Sequence, residues 1–173
     1  MRVLGIDPGT LTSGYGIVSE EDHKLFHIVS GGISPSAKQP FPRRLKKIYE
    51  ELEKIIGKYK PHVVVVEDLF VSNNIKAALK LGHARGVAIL AAVNAGIPVF
   101  EDAPTEVKQA VVGTGKADKK QVQAMVKVLL ELPKAPHPAD AADALAAAIC
   151  HIHSSRMREM LKSSPSLKTG RTR

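Results

Sequence analysis

Cysteine is nearly absent, since Cys150 is the one thiol in 173 residues. An internal disulfide is therefore excluded, and a reducing compartment is expected. Long apolar runs are missing too. Those present are short and broken by Lys, His, Arg or Asn, well below the roughly 20 residues that a membrane-spanning helix needs. The opening residues, MRVLGIDPG, lack the apolar stretch of a secretory signal. Neither an internal repeat nor a low-complexity segment is found before the C-terminal tail. These absences predict a soluble, cytoplasmic protein with no membrane partner. The length suits one domain with a core large enough to fold without a disulfide or metal staple.

Acids are scarcer than bases, 17 against 25, for a net charge of +8. The excess is uneven. From Ser154 onward there are six basic residues and a single acid, Glu159, a local +5 that leaves +3 for the body. Residues 154–173 are read as a basic, disordered tail, suited either to attracting phosphate or merely to keeping the chain in solution. The folded domain is placed at residues 1–153.

Within that domain, residues 3–7, 15–18 and 25–29 have strand character and are separated by turn signals, with Gly31-Gly32 loosening the chain after the third strand. Phe41, Leu45, Ile48, Leu52, Ile55 and Tyr59 recur at helical steps. The charged face of that helix, with Arg43, Lys46, Lys47, Glu50 and Glu51, is expected to be solvated. Residues 62–66 include four valines in succession, the composition of a strand covered on both faces. A long Ala-rich helix is read over 75–94, then a strand over 97–100 and helices over 104–112, 118–130 and 139–153. Strands first, then strands alternating with helices, predict an α/β domain with a mixed five-stranded sheet flanked by helices.

Asp7 and Glu67 each stand where an apolar strand runs out. If those strands are parallel neighbours, both carboxylates enter one crevice at the sheet's C-terminal edge. Asp140 and Asp143 lie three residues apart in the first turn of the last helix and share a face. Four gathered acids repel one another unless cations neutralise them. Oxygen-only ligation selects hard ions, Mg²⁺ or Mn²⁺. Two such ions about 3.5–4 Å apart suit in-line phosphodiester hydrolysis, one activating water and the other stabilising the leaving oxygen. Asp7 is the expected bridging ligand. Singly, each acid has a plainer role open to it: Asp7 as turn support, Glu67 as a surface residue at a strand end, Asp140 as a helix cap.

Met1-Arg-Val-Leu-Gly-Ile-Asp-Pro-Gly9, Val66-Glu-Asp-Leu-Phe70, Ala78-Leu-Lys-Leu-Gly-His-Ala-Arg-Gly86, Val107-Lys-Gln109 and Asp140-Ala-Ala-Asp-Ala-Leu145 together resemble the RuvC family of bacterial Holliday-junction resolvases. The resemblance runs from Met1 to about residue 153 in order and spacing. It implies a ribonuclease-H-like fold and a homodimer that nicks four-way junction DNA in a paired, Mg²⁺-dependent way. It further implies two Mg²⁺ per site with Mn²⁺ as a substitute, and work alongside the RuvA–RuvB branch-migration complex. Asp7, Glu67, Asp140 and Asp143 match the family's metal-binding acids. Phe70 matches an aromatic that stacks on a base, and Lys108 and Lys119 match lysines that support DNA contact and catalysis.

His137 leaves an alternative open, since His137 with Asp140 could replace the aspartate pair as ligands; a capping or surface role is preferred because it precedes Pro138. Asp7-Pro-Gly-Thr10 also resembles the first phosphate loop of actin-like ATPases, but a second domain and a second Gly-rich loop are missing. Gly113-Thr-Gly-Lys116 lacks the spacing of a P-loop. Two further rivals are a resolvase-like family described as acting on ribosomal RNA and a non-catalytic junction binder. For a mere binder, four acids facing phosphate would be a handicap.

Overall fold

Four successive valines can be tolerated only where apolar matter covers both sides of a strand. The computed structural model, which describes residues 1–68 and 74–163, puts them at the centre of a sheet. Its strands are β1 (Arg2–Asp7), β2 (Ser13–Glu21), β3 (Lys24–Ile33), β4 (Val63–Glu67) and β5 (Val99–Asp102), in the order β3-β2-β1-β4-β5. β1 pairs antiparallel with β2 and parallel with β4, and β4 pairs parallel with β5, so the sheet is mixed. The helices are α1 (Phe41–Tyr59), α2 (Ile75–Asn94), α3 (Pro104–Val112), α4 (Lys119–Leu129) and α5 (Ala139–Ser163).

Strand parity sorts the core into two layers. Leu4, Ile6, Val64 and Val66 pack with Ile48 and Leu52 of α1 and with Ala84 and Ala88 of α2. Val3 and Val65 pack on the other side with Val107 of α3, Val122 and Val126 of α4, and Leu145 and Ile149 of α5. Each fully buried Leu or Ile in these layers contributes about 1.5–3 kcal/mol. The same alternation sends Asp7 and Glu67 toward the α3–α5 layer, two residues beyond Gly5 and Val65 respectively.

Helix α5 lies unusually close to the sheet because three glycines carry no side chain to hold it off. A Cβ at Gly5 would stand 1.8 Å from the Ala144 carbonyl oxygen, one at Gly14 2.0 Å from that of Asp140, and one at Gly16 2.5 Å from Leu145 Cγ. The helix answers with its own small residues: Ala141, Ala142, Ala144 and Ala146 to Ala148 are fully buried.

Several boundaries differ from the sequence reading, among them β2, which spans Ser13–Glu21 where residues 15–18 were expected. β3 does not loosen at Gly31-Gly32 but continues to Ile33, with Gly31 opposite Tyr15 and Gly32 opposite Gly14. A Cβ at Gly31 would come within 2.9 Å of Tyr15 Oη and one at Gly32 within 2.7 Å of Pro138 Cγ, so a larger residue at either place would have to displace those side chains. β5 starts two residues later than expected, because Pro98 contributes only its carbonyl, to Val64 N–H, and the ladder runs on to pair Asp102 with Glu67. Helix α5 extends past 153 to Ser163, so the first part of the basic segment is helical. Once a helix is nucleated, each added residue costs little. Among the described residues, no helix is long and apolar enough to cross a membrane.

Candidate active site

β1 and β4 are parallel and in register through the pair Ile6–Val66, so their next residues, Asp7 and Glu67, leave the sheet side by side. The chain turns sharply after Asp7: Ser13 Oγ donates to the Gly9 carbonyl at 2.8 Å and accepts from Gly9 N–H at 3.2 Å. Asp7, Glu67 and Asp143 of α5 line one cavity of about 200 Å³, together with Lys108 of α3 and Lys119 of α4. Val107, Val122 and Ala146 form its apolar floor.

Burial pushes the Asp7 carboxyl up to about 8, helped by the charges of Glu67, Asp143 and Asp140. Burial likewise lifts Glu67 to about 7, with Asp143 adding to the rise and Lys119 and Lys108 opposing it. Two adjacent carboxylates thus hold protons near neutrality unless something positive joins them. Asp143 already has such a partner. Lys119 Nζ donates to its Oδ2 at 2.8 Å, and the bond raises the lysine's own pKa.

Lys119 is the first residue of α4, whose start is set by Asp118. The Asp118 carboxylate accepts from Gln121 N–H at 2.8 Å, and Gln121 Oε1 accepts from Asp118 N–H at 2.9 Å, a reciprocal cap. Helix α3 starts with Pro104 at its first position and Glu106 accepting from Ala103 N–H. That start puts Lys108 one turn on, facing the cavity.

The sequence-predicted residues therefore fare differently. Asp7, Glu67, Asp143, Lys108 and Lys119 come together. Asp140 does not line the cavity, yet it is close enough to raise Asp7. Its backbone carbonyl sits against Gly14, so it anchors the helix start to β2. Phe70 lies outside the described residues. His137 is exposed, in keeping with the surface role preferred for it. Lys116 and Lys120 are exposed as well.

Two residues inside the quoted motifs acquire roles that spacing could not reveal. Gln109 braces the α3–α4 loop from both sides, donating to the Gly113 carbonyl at 3.0 Å and accepting from Gly115 N–H at 3.1 Å. Arg85 of α2 ties Asp68, next to Glu67, to Glu101 of β5. The Arg85 bonds cross between elements and the Gln109 bonds depend on how the loop after α3 turns, so only the motifs Val107-Lys-Gln109 and Arg85-Gly86 signalled them.

Among the described residues, no three His, Cys, Asp or Glu side chains close into a ready-made cage for an ion. The donor set nonetheless fits a hard divalent cation. It is oxygen only, its members repel one another, and two of them are lifted toward neutrality by that repulsion and by burial. Asp7 and Glu67 are the residues able to hold such an ion as they stand, with Asp143 available once it leaves Lys119.

Residues 3–151 match the family model described as crossover junction endodeoxyribonuclease RuvC. A protein of that name from Geobacter sp. (strain M21) is 54% identical over 162 residues, covering 94% of this chain and 98% of its own length. Another from Citrifermentans bemidjiense is 52% identical with the same coverage. Among solved structures, Thermus thermophilus RuvC superposes with a TM-score of 0.83 at 35% identity, over 91% of this chain and 97% of its own. The same protein in complex with Holliday junction substrate gives 0.86 at 36% identity, over 91% and 96%. The yeast mitochondrial resolvase Ydc2, at 15% identity and a TM-score of 0.61, shares the fold. The mixed five-stranded sheet is thus the ribonuclease-H-like sheet expected from the sequence. On matches that span nearly its whole length, the chain belongs to the crossover junction endodeoxyribonuclease RuvC family.

Proposed function

We infer that this protein resolves Holliday junctions by hydrolysing two opposed DNA phosphodiesters, one in each active site of a homodimer. The observation that carries the reading is the meeting of Asp7, Glu67 and Asp143 in one cavity walled by Lys108 and Lys119. Asp7, Glu67, Asp143 and Asp140 are the proposed holders of two Mg²⁺, with Mn²⁺ a workable substitute and Asp7 the shared ligand. When bound, divalent cations supply an activated water and neutralise charge on the leaving oxygen. Lys108 and Lys119 meet the phosphate on the open side of the cavity, and the Val107–Val122 floor keeps bulk water from the acids. With no Ser or Tyr among the described residues of the cavity wall, no covalent intermediate is proposed. The products are 5′-phosphate and 3′-hydroxyl ends that a ligase can seal.

A junction is close to two-fold symmetric, which a two-fold dimer matches. The dimer is supported by α2, where Ile75, Leu79, Leu90 and Val93 are exposed, each with more than half of its surface in solvent. Between them, Gly82 and Gly86 meet nothing within 4 Å, leaving room for a second backbone. Phe70 is proposed to stack on an unpaired base, and Arg156 and Arg158 of α5, with the basic residues beyond, to draw in phosphate. Cooperation with RuvA–RuvB, in the cytoplasm, completes the proposal.

A mobile synthetic four-way junction, compared with linear duplex in Mg²⁺ or EDTA, tests it on one gel. Paired nicks in the junction alone, dependent on Mg²⁺, are expected. Tight binding without nicking in Mg²⁺ would leave only a junction-binding protein.

A further inference from the structure

We propose that Lys119 is a built-in counter-ion: it neutralises Asp143 while the site holds no metal, and is displaced when a divalent cation takes that carboxylate. Loading the site then frees an ammonium group beside the cavity, where DNA phosphate can use it. The inference rests on the reading of the acids as metal ligands, and it deepens that reading by giving the lysine two partners in turn.

The geometry points this way at several places. The ion pair is short, 2.8 Å, and lopsided: the Asp143 side chain is 13% exposed and that of Lys119 is 70% exposed. The carboxylate is thus fixed in the cavity wall, while the ammonium sits at the end of a solvated stem that can swing away without loss of packing. Lys119 also begins α4, where the helix dipole disfavours positive charge, so its inward pose depends on the acids it faces. Its charge reaches beyond Asp143, since it opposes the rise of both Asp7 and Glu67. One ammonium therefore serves all three carboxylates lining the cavity. A divalent cation and an ammonium cannot share the same carboxylate oxygen at bonding distance without strong repulsion, so one must yield. The neighbouring lysines differ. Among the described residues, neither Lys116 nor Lys120 forms an ion pair.

Mn²⁺ binding to the full-length protein without DNA, followed by calorimetry and by water-proton relaxation, tests the proposal without reference to cleavage. Lys119→Met is expected to tighten Mn²⁺ binding about fivefold, the scale of a partly exposed ion pair removed from competition. Lys119→Arg, which keeps the charge, should stay near wild type, and Lys120→Met should change the affinity less than about twofold. Circular dichroism checks the fold, and Lys119→Gln replaces the methionine variant if that one misfolds. Unchanged affinity in Lys119→Met overturns the proposal, and so does equal tightening in Lys120→Met, which would mean a diffuse charge effect. Wild-type binding that Asp7→Asn abolishes keeps the metal reading standing in either case. Should wild type bind no Mn²⁺, the metal reading falls and this inference falls with it.

Discussion

Neutralising Asp7 should make the metal-free protein more stable, although it removes a residue central to the site. The carboxyl is held at about 8 against an ordinary 3.8. Between those values the folded state keeps a proton that the unfolded chain has released, so stability falls as pH rises through that window. Above about pH 8 the folded protein bears the whole penalty, at most about 6 kcal/mol for a group displaced this far. Glu67 and Asp143 relax when their neighbour is neutral, so the gain in Asp7→Asn should be about 2–3 kcal/mol. For a chain of this length that corresponds to roughly 4–12 °C in melting temperature. Thermal unfolding in EDTA, followed by circular dichroism from about pH 4 to pH 9, reads it directly. The gain should be small near pH 4, grow with pH and level off above about pH 8. Adding Mg²⁺ should shrink it, because bound cations neutralise the wild-type acid instead. An Asp7→Asn protein no more stable than wild type at pH 9, or a gain that does not vary with pH, would refute the electrostatic account of the site.

The same Asp7→Asn protein should cut no junction DNA yet bind it at least as tightly in a mobility-shift assay, because a negative charge beside phosphate is gone; weakened binding would contradict a ligand role. Lys108→Ala should lower the salt slope of junction binding by about one phosphate contact or slow single-turnover cleavage, and a variant unchanged in both is a bystander. Gly14→Ala puts a Cβ 2.0 Å from the Asp140 carbonyl and should cost about 2–3 kcal/mol in urea unfolding while displacing the first turn of α5. Wild-type stability in that variant would mean that the helix is not held by close backbone contact.

Much of this was readable from residue patterns because the relevant physics is local. The valine run announced a doubly covered strand, and the position of Asp7 and Glu67 at the ends of two apolar strands pointed to one crevice if the strands were parallel neighbours, as β1 and β4 are. The bounds of α1 came from periodicity, the end of α2 from Gly96, and those of α3 from Pro104 and Gly113. What escaped was tertiary. The glycines at 31 and 32 signal a loose turn by composition, whereas here they serve an edge strand crowded by Tyr15 and Pro138. The charges after Ser154 read as a tail, yet Ser155 bonds His151 Nε2 at 3.2 Å and Arg158 bonds Ser155 Oγ at 3.3 Å, carrying α5 onward. Asp140 and Asp143 are equivalent by spacing and unequal in the fold. Only the seat of the helix on the sheet decides which one enters the cavity.

That seat has a consequence for how the molecule tolerates change. Where helix meets strand at Gly5 and Gly14, the gap is set by main-chain atoms alone. Side-chain drift in the hydrophobic layers can loosen or tighten other distances, but it has no lever on this one. The protein's chemistry is thereby insulated from the ordinary wear of sequence divergence, and it is exposed instead at a few positions where a single methyl group would act as a wedge.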